Sequence, residues 1–195
     1  MSMVKIVTDS NAQLSPGVVE RLGIHVAPLR IQQGKRISRE GVDVTSQNYF
    51  ARLERSNVLP VDLPPLQQDM ADLYARLHRE TDQILSLHLS SHINDTCAVA
   101  RAAAANLLGR CRIMVLDSQM VSLGLGILVE AAAEAAAAGT RLDEVVRLVR
   151  GMVPHLYGAF FVETLDYLER SRRISKAQAL LGTMLGIKPL LTVEE

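Results

Sequence analysis

Three clusters of short polar side chains follow apolar runs in this sequence: Thr8-Asp9-Ser10, Ser90-Ser91 with Asn94 close behind, and Asp117-Ser118. Hydroxyls, amides and carboxylates of this kind can orient a small polar head group by hydrogen bonds. The same residue types are also the commonest helix caps and turn formers, so each cluster alone reads equally as a cap. Catalysis finds less support. Asp9 and Ser10 could serve a hydrolase or kinase only beside a base and an oxyanion site, and no such constellation surrounds them. There is no G-x-G-x-x-G after an apolar run, no P-loop lysine and no G-x-S-x-G elbow. His88 and His92 fall on a run and a loop, where helical metal-ligand spacing does not apply, and read as ordinary hydrogen-bonded histidines. Cys97 and Cys111 lack CxxC spacing and read as small core residues in a reducing compartment. The expectation is a binding protein, not an enzyme, with no metal and no cofactor.

The elements that would position these groups follow from periodicity and punctuation. Residues 3–8 form a short apolar run that stops at Asp9-Ser10-Asn11, as a buried strand would. Ser15-Pro16 supplies an N-cap with proline at the first helical position, and Gly23 closes the helix over 16–22. A second strand is expected over 24–29. A polar stretch follows, and then Thr45 can cap a helix to about residue 55. Three prolines between Pro60 and Pro65 hold 58–65 extended. Helical spacing returns over 66–77, a strand over 84–89, and an alanine-rich helix, capped by Asn94 or Asp95, up to Gly109. A strand over 112–116 and helices over 125–138 and 142–150 complete the series, with Thr140 as the expected cap of the last. This alternation predicts an α/β fold, a parallel sheet with helices on both faces, over residues 1–150. Beyond Pro154 the rhythm changes. A strand over 156–163, short helices over 164–169 and 175–184, and a strand over 187–193 predict the start of a second, smaller α/β domain in 151–195.

Composition limits the partners. Lys+Arg and Asp+Glu both number 21, giving a formal net charge of zero, so no global field draws the chain to nucleic acid or to an anionic membrane. The longest uncharged run, 118–129, falls short of the ~20 apolar residues that a spanning helix needs. No apolar signal core follows the N-terminus. A soluble, cytoplasmic protein is expected. Arg170, Arg172 and Arg173 form a basic cluster, which is either a solvated face or a dock for an acidic partner or a phosphate.

Several motifs occur in a telling order: Met3-Val4-Lys5-Ile6-Val7-Thr8-Asp9-Ser10, Gly41-Val42-Asp43, Leu89-Ser90-Ser91, Val115-Leu116-Asp117-Ser118, Gly124-Leu125-Gly126, and the run from Arg173-Ile174-Ser175-Lys176-Ala177 to Ile187-Lys188-Pro189. In this the chain resembles the DegV family of bacterial fatty-acid-binding proteins. The resemblance implies a two-domain α/β protein that holds one long-chain fatty acid in an apolar tunnel. Its carboxylate stays at the mouth, where a separate fatty-acid kinase phosphorylates it. It also implies head-group positions at Asp62 and Asn94 and a partner-facing Arg173, while the rule that ligands of open α/β sheets bind beyond the carboxyl ends of strands adds Ser91, Ser10 and Ser118 to the expected head-group residues.

Two departures from the family pattern alter these expectations. The family's Pro-Thr-Thr/Ser-Ser-Gln-Pro-Ser loop carries a hydroxyl for the carboxylate, whereas Pro60 to Leu66 here places Asp62 there. In the family's Ser-Ser-x-Leu-Ser-Gly-Thr stretch, this chain has Asn94 for the second serine and Asp95 for glycine. An ionised Asp62 would repel a ligand carboxylate, while Asn94 can still donate. Alternatively, Asp62 bonds Asn94 or helix amides and closes the mouth. Family members also continue well beyond the strand that ends near Val193, so the second domain is expected to be incomplete, and an open tunnel side would favour a homodimer. The leading expectation is a lipid carrier. The alternative is a diverged, truncated homologue without lipid that acts as a protein-interaction or regulatory module.

Overall fold

The computed structural model describes residues 3–56, 58–162, 164–171 and 190–192. Its centre is a four-stranded, wholly parallel sheet in the order β2-β1-β6-β7, made of β1 (Lys5–Asp9), β2 (His25–Ala27), β6 (Gln83–His88) and β7 (Arg112–Asp117). Because both faces are covered, these strands are continuous apolar runs without polar alternation. Ile6, Leu85 and Leu87 pack on one face beneath α5 (Leu123–Ala137) and α6 (Leu142–Met152), with Val18, Val19 and Leu22 of α1 (Pro16–Leu22) at the margin. Val7 and Ile84 point to the other face, under Met70, Tyr74 and Leu77 of α3 (Gln67–His78) and Ala100 and Ala103 of α4 (Thr96–Ala104). This is the expected architecture, with helices on both faces.

Local chemistry sets the helix ends. The Ser15 hydroxyl accepts from the Val18 amide, Pro16 occupies the first turn, and Gly23 closes α1 in the left-handed region at φ +61°. The Thr45 hydroxyl accepts from the Asn48 amide and caps α2 (Ser46–Glu54). At α6 the N-cap position is Arg141 and not the expected Thr140, and no side chain caps it. Asp143 and Glu144 instead supply negative charge to its first turn.

The polar stretch after β2 folds into a second sheet that sequence patterning did not indicate. The strands β3 (Arg30–Gln33) and β4 (Arg36–Arg39) form a hairpin across a two-residue loop with Gly34 at φ +62°. On the other edge of β3 lies β5 (Val61–Leu63), also antiparallel, with Ile31 directly opposite Asp62. The extended, proline-flanked segment therefore has a strand partner. Arg30 Nε fastens it by donating to the Pro64 carbonyl at 2.8 Å.

The later elements are shorter than expected: β8 (Ala159–Phe161) pairs antiparallel with β9 (Leu190–Thr192), and α7 spans Asp166–Arg170. The helix expected over 175–184, and Arg172 and Arg173, lie outside the described residues. Among the described residues no helix is long and apolar enough to cross a membrane.

Helix α5 is locked to the end of β1 by close backbone approach. A Cβ on Gly126 would stand 2.5 Å from the carbonyl oxygen of Ala12, in the 3-10 turn Ser10–Ala12 that follows β1. Gly126→Ala should therefore destabilise the fold by about 1–3 kcal/mol, as overpacking does. Gly124→Ala, whose added carbon meets only the flexible Met120 side chain at 3.3 Å, should cost less. Urea unfolding of the two variants checks the order, and equal midpoints would contradict it.

Candidate functional site

At the carboxyl end of β1, the Asp9 side chain is fully buried. One of its oxygens, Oδ2, accepts from His88 Nδ1 at 3.0 Å and from the Leu89 amide at 3.1 Å. The other, Oδ1, accepts from the Asn11 amide at 3.1 Å. On its far side, His88 Nε2 meets Ser86 Oγ at 2.7 Å, and Ser86 Oγ meets the Tyr74 hydroxyl at 2.7 Å. All four side chains have no exposed surface. One arrangement of protons satisfies each contact: Tyr74 donates to Ser86, Ser86 to His88 Nε2, and His88 Nδ1–H to Asp9. Burial pushes the Tyr74 phenol well above its ordinary range, so this hydroxyl stays protonated. The four side chains of this chain of bonds are buried, and together they fix where β1 and β6 end.

The other strand ends are engaged in the same manner. Asp117 accepts from the Ser91 and Gln119 amides at 3.1 and 2.8 Å. The buried Ser118 hydroxyl bonds the carbonyl and amide of Met120, and its own amide donates to the His88 carbonyl. The Ser90 hydroxyl accepts from the His92 amide. Ser91 and His92 themselves are exposed. Turn-forming chemistry thus occupies most of these clusters.

Ser10 behaves differently. Its hydroxyl accepts from the Leu29 amide at 3.0 Å and donates to Glu40 Oε2 at 2.6 Å. The one proton it has is committed to Glu40. Asn94 and Asp62 come together as well, since Asn94 Nδ2 donates to the Asp62 carbonyl at 3.4 Å. The contact is to the main chain, and the Asn94 Oδ1 is held by the Thr96 amide and hydroxyl at 3.1 and 2.7 Å. Asn94 therefore joins the start of α4 to β5.

A hollow of about 380 Å³ lies against the three-stranded sheet. Its lining includes Ile31 and Asp62, opposite one another on β3 and β5, Tyr49 and Phe50 of α2, and Glu40 and Gln13. The two rings meet edge to face with centroids 5.4 Å apart. A neighbouring hollow of about 510 Å³ shares Gln13 and Glu40 and reaches Ser10 and Asp9. Both fall in the size range of small-ligand sites. Partial burial raises the Tyr49 phenol first, and the negative charges of Asp62 and Glu40 add to it. Asn94, Ser91 and Ser118 line neither hollow. Arg173 lies outside the described residues.

Similarity to other proteins follows the whole chain. The family model described as "Uncharacterised protein, DegV family" matches residues 3–195. The chain belongs to the DegV family. A DegV domain-containing protein from Deinococcus radiodurans is 35% identical over 190 residues, covering 97% of this chain and 67% of that one. One from Streptomyces coelicolor is 36% identical over 192 residues, covering 98% and 67%. Among solved structures, a DegV family protein from Thermus thermophilus, described for its fatty acid binding, is 34% identical with a TM-score of 0.86, covering 98% of this chain and 68% of its own. DegV from Bacillus subtilis, described as a fatty acid binding protein, is 28% identical with a TM-score of 0.88, covering 100% and 69%. The chain spans about two thirds of the length of these DegV relatives.

Sequence reasoning missed Glu40, Tyr49 and Ile31 as cavity residues, and Ser86 and Tyr74 as partners of His88. Most carry no local signal, since Ser10 and Glu40 are 30 residues apart and Tyr74 and Ser86 are 12 apart; Ser86 and His88, two apart on one strand, share a face and could have been paired. The cysteine expectation agrees with the geometry for Cys97, whereas Cys111 is only half-buried at the margin of the core. Cys97 is fully buried, its Sγ lying 3.6 Å from the Leu116 carbonyl, and burial, then the Asp117 charge, pushes its thiol up to about 12. Among the described residues no His/Cys/Asp/Glu group could hold a metal ion.

Two outcomes follow for stability and reactivity. Asp9→Ala, which leaves the His88, Leu89 and Asn11 donors without their acceptor, should cost about 3–5 kcal/mol or prevent folding. Tyr74→Phe should cost only about 1 kcal/mol, because Ser86 keeps His88. Chemical denaturation reads both, and equal losses would contradict the proton arrangement. A raised pKa leaves little thiolate at pH 8, so a thiol reagent should modify Cys97 only after unfolding. Rapid native labelling of Cys97, located by mass spectrometry, would contradict its buried role.

Proposed function

We propose that this chain is a carrier of a long-chain amphiphile, a fatty acid or related lipid, that holds its ligand without transforming it. The reading rests above all on the likeness, at 34% and 28% identity, to solved relatives described as binding fatty acids. The hollow over β3 and β5 is compatible with it: Ile31, Val44 and Phe50 offer apolar lining, and Gln13, Thr45 and Tyr49 offer polar groups. Burying an acyl chain contributes about 0.8 kcal/mol per methylene, while a few polar groups orient the head. In this reading the head lies near Asp62 and Asn94, with Ser91, Ser10 and Ser118 holding the surrounding loops. A fatty-acid kinase in the cytoplasm is the proposed partner, docking at Arg173, and the exposed Phe50 and Val61 favour a homodimer where no further chain covers them.

Native mass spectrometry of the protein purified from cells should show a co-purified lipid, or uptake of an added C12–C18 amphiphile. Ligand-free chains that take up none would overturn the reading in favour of an interaction module. For the partner step, Arg173→Glu should abolish kinase-dependent phosphorylation of the bound lipid while leaving uptake intact; unchanged phosphorylation would remove Arg173 from that role.

A further inference from the structure

The parallel sheet ends on strands of unequal length. On one side lies β2, with three residues; on the other lies β7, with six, which among the described residues has β6 as its only strand neighbour. The Arg112 amide donates to the Asp82 carbonyl and the Ser118 amide to the His88 carbonyl, both toward β6. Backbone groups alternate in direction along a strand, so the N–H and C=O of Ile113, Val115 and Asp117 point to the outer edge. That edge is open: Ile113, Met114 and Val115 are only half-buried, and a hollow of about 760 Å³ runs beside them, with Leu108, 79% exposed, in its lining. Outward backbone groups beside apolar side chains are a template for a further strand.

Charge selects the strand that fits. Arg101 and Arg110 line this hollow, and Arg112 begins β7; Arg112 is paired with Asp143, whereas Arg101 and Arg110 make no ion pair among the described residues. The carboxyl end of the strand is acidic. There β7 closes on Asp117, and α4, which runs back from that end of the sheet toward the start of β7, follows the exposed Asp95. A uniformly acidic peptide would suit one end of this edge and be repelled at the other. A second copy related by a two-fold axis runs antiparallel, so the basic end of each chain meets the acidic end of its mate, and outward amides meet outward carbonyls. We infer that two copies of this chain pair antiparallel along their β7 edges and join their parallel sheets into one. This goes beyond the carrier reading and does not depend on it, since the edge shares no lining residue with the hollow over β3 and β5.

The test follows the full chain by sedimentation velocity over about a hundredfold range of concentration, with amide hydrogen exchange read by NMR at both ends of the range. A monomer–dimer equilibrium should appear. In the dimer the amides of Ile113, Val115 and Asp117 should exchange at least tenfold more slowly than in the monomer, while those of Arg112, Met114 and Leu116, which face β6, stay slow in both. The double variant Arg101→Glu/Arg110→Glu, at two exposed positions, should weaken the dimer at least tenfold. A chain that stays monomeric throughout overturns the inference. So does a dimer whose three outward amides exchange as fast as in the monomer, as one formed through Phe50 and Val61 would show, and so does a dissociation constant unchanged in the double variant. Each of these results leaves the carrier reading standing, because lipid uptake is measured separately.

Discussion

The carboxylate of Asp9 is the fixed point of the structure. Burying an ionised carboxyl is expensive unless its lone pairs are taken by well-placed donors, and here three donors converge on it from two places in the chain: His88 and Leu89 at the end of β6, and the Asn11 amide in the turn after β1. The bonds therefore close two parallel strands at the same level. Asn11 passes the constraint on, because its side-chain oxygen accepts from the Ser122 amide at 2.8 Å, where Ser122 sits at φ +52° just before α5. That helix then presses Gly126 against the Ala12 carbonyl. One buried charge thus aligns strand ends, an unfavourable loop conformation and a close helix contact, and Ser10, next to it, inherits a fixed position from which to hold Glu40.

What the sequence made legible divides along physical lines. The parallel strands were readable because burial on both faces leaves uninterrupted apolar runs, as in Ile6-Val7 and Ile84-Leu85, and α1 was readable because Ser15, Pro16 and Gly23 each act on their immediate neighbours. The β3–β4 hairpin was not. Arg30-Ile31-Gln32-Gln33 and Arg36-Ile37-Ser38-Arg39 are polar on both faces, so neither shows the alternation of a half-buried strand. The prolines around β5 announced extended backbone but could not name β3 as its partner. At α6, Thr140 looked like a cap by residue type, yet the helix begins after Arg141, and only the surrounding packing decides such a shift of one residue.

The candidate site was legible in a similarly partial way. The polar clusters at the strand ends were visible, and the rule that ligands gather beyond such ends made them the natural first choice. In the folded chain, Asp9, Asp117 and Ser118 spend their hydrogen-bonding capacity on the loops they begin, and both faces of the parallel sheet are filled with side chains. One of the hollows of the structure lies over the antiparallel sheet, whose strands could not be recognised from pattern alone.

That displacement explains why two substitutions relative to the family pattern carry so much weight. In the carrier reading proposed above, the head group would meet the side chains that line the hollow over the small antiparallel sheet, Asp62, Glu40 and Tyr49 among them. Their backbone positions are determined elsewhere: Asp62 by pairing with Ile31 and by the Asn94 amide, Glu40 by Ser10 and hence by Asp9. Changing a hydroxyl to a carboxylate at position 62 leaves those supports untouched, because Asn94 bonds the main chain there and not the side chain. Asp62 in place of the family's hydroxyl therefore adds a negative charge to the lining of the hollow while the main-chain pairing that places the residue is kept.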